Sequence, residues 1–437
     1  MRLPPYVLTH AESVLREIMR FTAPADTTLS FFFKAHPKLG GRERGAIAEA
    51  VYAVLRNKAF FSDRAEAGVS GGATMRRLVL LGMADAVGFD ALPGLSEDES
   101  AWLTRQLEID RTLLHKSMRA NMPKWLFDKL VAQYGEDETL ALADALNTPA
   151  PLDLRVNAIK TDRDAVIAEL ATAPIVAEPT PFAPLGLRLR KKPALQNLPL
   201  FKSGAIEVQD EGSQLLAQIL GAKRGDMVVD FCAGAGGKTL ALGAQMRNTG
   251  RLYAFDVSEK RLAKLKPRLA RSGLSNVHPV AIAHERDAKV KRLAGKIDRV
   301  LVDAPCSGMG TLRRNPDVKW RQDESAIGEM HEKQVSILDG AARLVKGGGR
   351  LVYATCSLLS EENDEVAKQF IETHPDFVLV PMSQVLAEQK IANLEMGDYL
   401  KLLPHKHQTD GFFAAVFERK PMAKPAKADA DTDTDEE

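Results

Sequence analysis

Hydrophobic and polar residues follow three different rhythms along this chain. Over residues 1–135 apolar positions recur at helical spacing. In RERGAIAEAVYAVLRNKAF, Ile47, Ala50, Val51, Val54 and Leu55 share one face. HAESVLREIMRF and MRRLVLLGMADAVGF repeat the spacing, and Pro93–Gly94 interrupts it. A small helical domain is expected, with Arg42, Arg44 and Arg56 outside its core, on a face either solvated or open to a partner.

Over residues 136–204 the period shortens. PLDLRVNAIK puts Leu152, Leu154 and Val156 on one side of a strand. TDRDAVIAELA then reads as a helix capped by Thr161, and LGLRLRKKPAL returns to strand, edged by Arg188, Arg190, Lys191 and Lys192. This is a small α+β unit. From 205 to 420, short apolar runs ending in small or acidic residues (MVVDFCAG, RLYAFDVS, IDRVLVDAP, GRLVYATCS) alternate with helical stretches such as EKRLAKLKPRLARSG. DGFFAAVFERK adds a late strand. Alternation of this kind predicts an α/β domain with a mostly parallel sheet covered on both faces. Residues 421–437, PMAKPAKADADTDTDEE, have no apolar period and are expected to be a disordered acidic tail.

A chain of 437 residues is long enough for two or three cores, which agrees with this division. No stretch approaches the roughly 20 apolar residues of a membrane helix, and MRLPPYVLTHAESV lacks the apolar run of a signal peptide. A cytoplasmic protein without membrane partners, acting as a monomer, is expected. Three cysteines, widely spaced and without CxxC, exclude a disulfide framework and argue against zinc, so no metal is expected. The net charge is +1. Residues 421–437 hold two lysines and six acids, which leaves +5 on the rest, a mild basicity that permits a nucleic-acid partner.

VVDFCAGAGGKT is the first sharp chemical signal. An apolar strand runs into Gly234, Gly236 and Gly237 before a helix, where a backbone can approach a ligand closely. A Walker loop would need glycine at Cys232, and the dinucleotide pattern would need glycine at Thr239. What remains resembles the first motif of class I methyltransferases. Asp256, ending the next strand, is placed to accept hydrogen bonds from ribose hydroxyls. Asp287, in HERDAK, is a candidate for the adenine side of the same pocket.

DAPCSGMGT and YATCSLLSEEN both follow apolar strands, so Asp303, Cys306 and Cys356 should gather at the carboxyl edge of the sheet. Two thiols and a carboxylate beside a methyl donor suit one reaction in particular. Cytosine C5 is a poor nucleophile, but a thiolate added to C6 turns C5 into an enamine-like carbon able to accept a methyl group.

DAPCSG with a downstream TCS behind CAGAGGKT resembles the RsmB/Nop2–Sun family of RNA 5-methylcytosine methyltransferases, over roughly 205–420. The resemblance implies a class I, Rossmann-like methyltransferase fold and S-adenosylmethionine as cofactor. It implies Cys356 as nucleophile, Cys306 as the thiol that assists product release, and Asp303 as a hydrogen-bond partner of the cytosine. It places cofactor contacts at Cys232, Ala233, Gly234, Ala235, Gly236, Gly237, Lys238, Asp256, Asp287 and Asp303. Ala235 stands where the family usually has proline. The α+β unit resembles the family's small RNA-binding subdomain, and residues 1–135 are similar in pattern to the NusB-like domain of its 16S rRNA members. Small-subunit rRNA is the implied substrate, with tRNA, or a non-catalytic role in ribosome assembly, as the alternatives. Arg313, Arg314 and Lys319 in RRNPDVKW are candidate phosphate contacts, and Trp320 a packing anchor.

Overall fold

The computed structural model describes residues 3–66, 74–92 and 94–421. The acidic tail expected from 421 lies outside the described residues but for Pro421.

Helices Tyr6–Ile18, Ala25–Ala35, Gly41–Arg56, Lys58–Glu66, Thr74–Val87 and Glu97–Leu107 form the N-terminal bundle. The face read from the sequence is its centre: Ile47, Ala50, Val51, Val54 and Leu55 are buried against Val7, Leu15 and Leu80. Two further helices, Lys124–Tyr134 and Glu136–Leu146, do not join that core. Their Leu126, Leu130, Leu142 and Leu146 pack with Met309, Leu312, Leu358 and Leu359 of the C-terminal domain. Gln133 Nε2 and Tyr134 OH both donate to the Leu358 carbonyl, at 2.9 and 3.0 Å.

Next comes a four-stranded antiparallel sheet, ordered β2-β3-β1-β4, from β1 (Leu152–Val156), β2 (Ala177–Pro179), β3 (Gly186–Leu189) and β4 (Ile206–Val208). Leu154 and Val156 face this unit's own core. Asp153 and Arg155, on the opposite side of β1, are buried too. Helix Arg163–Thr172 is capped by Asp162, which accepts the Ala165 N–H at 2.9 Å, and not by Thr161. The carboxylate is the stronger acceptor for a charged-dipole cap.

The C-terminal domain contains β5 (Met227–Asp230), β6 (Arg251–Asp256), β7 (Val277–Ala281), β8 (Ile297–Asp303), β9 (Val345–Thr355), β10 (Phe377–Val380), β11 (Leu400–Leu402) and β12 (Phe412–Arg419). Its sheet runs β10-β12-β9-β8-β5-β6-β7, with β11 beside β12. Strands β5 to β9 are parallel, and β12 is antiparallel to both β9 and β10. The chain leaves β5 toward β6 and β7 on one side and later fills β8 and β9 on the other. That reversal opens a crevice at the carboxyl ends of β5 and β8, the usual ligand position in such sheets. Among the described residues, no helix is long and apolar enough to cross a membrane.

Candidate active site

β5 ends at Asp230, the chain turns through residues 231–236, and helix Gly237–Gln245 begins. Gly236 has φ +84°, and a Cβ there would lie 2.1 Å from Leu265 Cδ1, so the turn needs glycine. The loop is stitched to the next strand: Ala233 N–H donates to Phe255 O and Gly234 N–H to Asp256 Oδ2, both at 2.8 Å. Asp256 Oδ1 accepts the Ser258 N–H at 2.7 Å and faces Arg261 at 3.2 Å. Beneath the loop Asp230 accepts Thr239 Oγ1 at 2.6 Å, and burial pushes its carboxyl up to about 7.

A cavity of about 840 Å³ opens above this turn. Cys232, Ala233, Gly234, Ala235, Gly237, Lys238, Asp256, Asp303, Cys306 and Cys356 all line it, together with Val257 and residues 282–285. Gly236 lies behind the wall, against Leu265. Asp287 is not part of the lining. Its carboxylate accepts the N–H groups of Ala283 and Lys289, each at 2.8 Å, and these bonds hold its pKa below the usual range. It shapes the 282–285 wall from outside.

Strands β8 and β9 are neighbours, so their two motif loops emerge side by side. Cys306 Sγ and Cys356 Sγ are 3.2 Å apart, and the Cys356 N–H donates to Cys306 Sγ at 3.3 Å. The contact with Cys356, burial, and the charge of Glu362 raise the Cys306 thiol well above its ordinary pKa. Asp303 accepts Lys238 Nζ at 2.7 Å. Burial opposes the Lys238 ammonium, but the charge and hydrogen bond of Asp303, with negative charge at Cys356 and Asp230, leave its pKa raised.

Glu362 holds both cysteine loops and carries no sequence signal beyond its place in SEEN, shortly after the TCS motif. It is fully buried. It accepts Ser307 N at 2.7 Å, Ser307 Oγ at 2.5 Å, Gln334 Nε2 at 3.0 Å and the Ser357 hydroxyl. The serine that follows each motif cysteine is thus tied to one carboxylate. Across the loops Gly310 and Gly411 meet back to back, where a Cβ on Gly310 would stand 2.1 Å from Gly411 O.

The basic segment RRNPDVKW is not a phosphate surface. Arg313 is buried and donates to Gln408 O and Thr409 O at 3.3 and 3.2 Å. Arg314 pairs with Asp210 at 2.9 Å and with Asp410. Lys319 is buried, donating to Arg56 O at 3.1 Å and Asn147 Oδ1 at 2.8 Å, and Trp320 Nε1 donates to Leu55 O at 2.8 Å. The segment docks the helical bundle onto the catalytic domain. Arg56 belongs to that joint, buried over the Tyr52 ring, and Arg44 caps the carbonyls of Leu39 and Pro37. Arg188 is committed to Asp153 at 2.8 Å, whereas Arg190, Lys191 and Lys192 remain on the surface.

A parallel sheet with this strand order, a glycine turn after its first strand, an acid after its second and a cavity over both define a class I methyltransferase. The family model for 16S rRNA methyltransferase RsmB/F matches residues 217–418, and the model for the RsmF/B-like ferredoxin-like domain matches 122–196. The chain belongs to this RsmB/Nop2–Sun family and is an RNA methyltransferase. It is 32% identical to the "Probable ribosomal RNA small subunit methyltransferase B" of Synechocystis, over 92% of this chain and 97% of that one. It is also 32% identical to ribosomal RNA small subunit methyltransferase B of Yersinia pseudotuberculosis, over 80% and 76% of the two chains. The crystal structure of PH0851 superposes with a TM-score of 0.76 at 26% identity, covering 96% of this chain and all of that one (100%). The ferredoxin-like match begins inside the helical region, in keeping with helices Lys124–Tyr134 and Glu136–Leu146 packing away from the bundle.

Proposed function

We propose that this methyltransferase modifies carbon 5 of a cytosine in small-subunit rRNA through a covalent bond between Cys356 and carbon 6 of the base. The methyl donor is S-adenosylmethionine, which supplies a methyl group on a positively charged sulfur. The cavity suits it. Its wall combines the Asp256 carboxylate, the exposed apolar Val257, the backbone of the glycine turn and both motif thiols. Cys232 to Lys238, Asp256 and Asp303 would hold the donor, with Asp287 supporting the wall.

The target base must leave any helix it sits in to reach two thiols at the sheet edge. The Cys356 thiolate adds to C6, and the electron pair moves toward C5, which then takes the methyl group. Loss of the C5 proton and cleavage of the C6–S bond return the thiolate. The Lys238 ammonium interacts favourably with negative charge on Cys356. That interaction, with the position of Cys356 in the TCS motif, favours attack by Cys356 and leaves assistance in release to Cys306. Asp303, oriented by Lys238, would accept a hydrogen bond from the cytosine edge.

The observation that carries the reading is the 3.2 Å approach of two motif thiols inside the methyl-donor cavity. Single-step transfer to a nitrogen or oxygen would need neither. The test is adduct trapping. Cys306→Ala should give a slower protein–RNA band on a denaturing gel, dependent on both RNA and S-adenosylmethionine, while Cys356→Ala and the double variant give none. A band from Cys356→Ala would reverse the two roles, and no band from any variant would remove the covalent mechanism. Running the assay with 16S rRNA and with tRNA separates the two substrates.

A further inference from the structure

The turn over the cofactor cavity carries an alanine, Ala235, whose φ is not fixed by a ring. A proline would fix φ before any ligand arrives, and alanine leaves the turn more conformations to lose on binding. Among the described residues, no acceptor takes the Ala235 N–H, so the loop's own backbone does not fix this position from that side.

Two arginines act on the turn, Arg268 from the cavity wall and Arg155 from behind it. Arg268 Nη1 donates to Ala235 O at 2.7 Å. Arg155 Nη1 donates to Gly237 O, also at 2.7 Å. Neither arginine is held by the catalytic sheet. Arg268 is anchored by Glu207 of β4, at 3.1 Å from Nη2 and 3.3 Å from Nε. Arg155 lies on β1 and is also bonded to Gln209, just past β4. Burial draws the Arg155 guanidinium down to about 10, so it stays charged at neutral pH. The helix that carries Arg268, Glu259–Ser272, is pinned to the α+β unit at its far end: Asn157 Nδ2 donates to Ser272 O at 2.9 Å and Lys160 Nζ to Arg271 O at 2.7 Å. Glu207 and Asn157 are themselves buried, so these anchors do not exchange freely with water.

We propose that Arg268 and Arg155 are positioning residues that set the cofactor turn where no ring constrains it, and that the α+β unit, through Glu207 and Gln209, is thereby part of the methyl-donor site. The inference rests on the reading of that turn as the S-adenosylmethionine loop. A carbonyl held by a guanidinium cannot rotate inward, so the turn keeps one shape without the ring constraint. It also follows that whatever displaces β4, such as RNA seated on the α+β unit, is felt at the cofactor.

The test is titration calorimetry of the full-length protein with S-adenosylhomocysteine, comparing wild type, Arg268→Met, Ala235→Pro and the double variant. Arg268→Met should weaken binding about tenfold, the loss of one charge-assisted hydrogen bond. Ala235→Pro alone should change affinity little, but in the Arg268→Met background it should restore most of the loss. Glu207→Gln should give a smaller weakening, also reversed by Ala235→Pro. Thermal midpoints of the unliganded proteins check folding, and if Arg268→Met does not fold, Glu207→Gln with and without Ala235→Pro carries the test. Unchanged affinity in Arg268→Met overturns the proposal. So does a loss that Ala235→Pro fails to repair, which would make Arg268 a direct ligand contact. Failure of the wild type to bind at all would instead overturn the cofactor reading.

Discussion

DAPCSG and RRNPDVKW are separated only by residues 309–312, and both follow β8 as polar segments rich in chemistry-bearing side chains. Their fates are opposite. Asp303 and Cys306 open into the cavity beside Cys356, whereas Arg313, Arg314 and Lys319 turn inward to cap carbonyls and neutralise acids. The difference lies in what fixes each segment. The carboxyl end of a central parallel strand is a ligand position by topology, so a motif there points at the cavity whatever follows it. A cation past that edge is free to satisfy any acceptor within reach, and the joint between domains offers several. Lysine and arginine identities therefore say little about phosphate until the acceptors are known.

The sharpest test of this contrast is at the first segment's partner thiol. Cys356→Ala should abolish methyl transfer, by at least about a thousandfold, if the thiolate supplies the covalent route. S-adenosylmethionine affinity should stay within about twofold, because the glycine turn and Asp256 are untouched. Residual activity above a few per cent would show that the thiol pair is not the engine of the reaction.

Arg314→Met tests the second segment. Removing the guanidinium leaves Asp210 and Asp410 buried without their shared cation, which should cost about 3–5 kcal/mol of stability. The pH dependence has a definite sign. Burial and the charge of Asp210 already raise the Asp410 carboxyl to about 6. A raised folded-state pKa means the native protein holds its proton more tightly, so stability falls as pH rises through that value. The variant should thus be damaged most above pH 6 and least in mild acid, as urea melts would show. A phosphate contact predicts something else: intact stability, with the salt slope of RNA binding reduced by about one.

Asp256→Ala should have a smaller effect than either. Loss of a charge-assisted acceptor at the cofactor turn should weaken S-adenosylmethionine binding by about 1.5–3 kcal/mol, tenfold to a hundredfold. Part of that loss would come through Gly234, whose N–H is left without its acceptor. Calorimetry returning wild-type affinity would place Asp256 outside the site.

What was legible in the sequence was local. Helical and strand periods marked the apolar faces, and residues beside strand ends were placed by topology. What was not legible depends on partners far away along the chain. Arg314 meets Asp410 across 96 residues, Lys319 meets the Arg56 carbonyl across 263, and Arg268 reaches Ala235 across 33. Nothing in RRNPDVKW announces such acceptors. Glu362 was hidden differently: an acid in a run of acids reads as surface, and only the convergence of Ser307, Ser357 and Gln334 makes it the centre of both cysteine loops. The helices Lys124–Tyr134 and Glu136–Leu146 have the same spacing as the bundle, so periodicity could not say which core they join.

A net effect that changes sign with pH belongs to Lys319, where the contrast between the two segments can be read from a slope. Burial, with the charges of Arg56 and Lys58, lowers its pKa to about 7. In the unfolded chain the amine titrates near 10.5, so between pH 7 and 10.5 the unfolded state binds a proton that the native state does not. Stability should therefore rise with pH over that window, by up to about 1.4 kcal/mol per unit. The cost of burying the charge is fully present below pH 7. Lys319→Met keeps the length of the side chain and removes the titration. It forfeits the hydrogen bonds to Arg56 O and Asn147 Oδ1, worth about 1 kcal/mol each, and gains relief from charging. Near pH 7 the relief from charging, about 4 kcal/mol, exceeds what the two hydrogen bonds supply together, and the variant should be the more stable by about 2 kcal/mol. Its advantage should stay level below pH 7, shrink as pH rises toward 10.5 and turn to a deficit in base, so the two stability curves cross. Parallel curves would mean that Lys319 stays charged in the native protein, with its ammonium reaching water or a phosphate, and the joint would have to be redrawn around it.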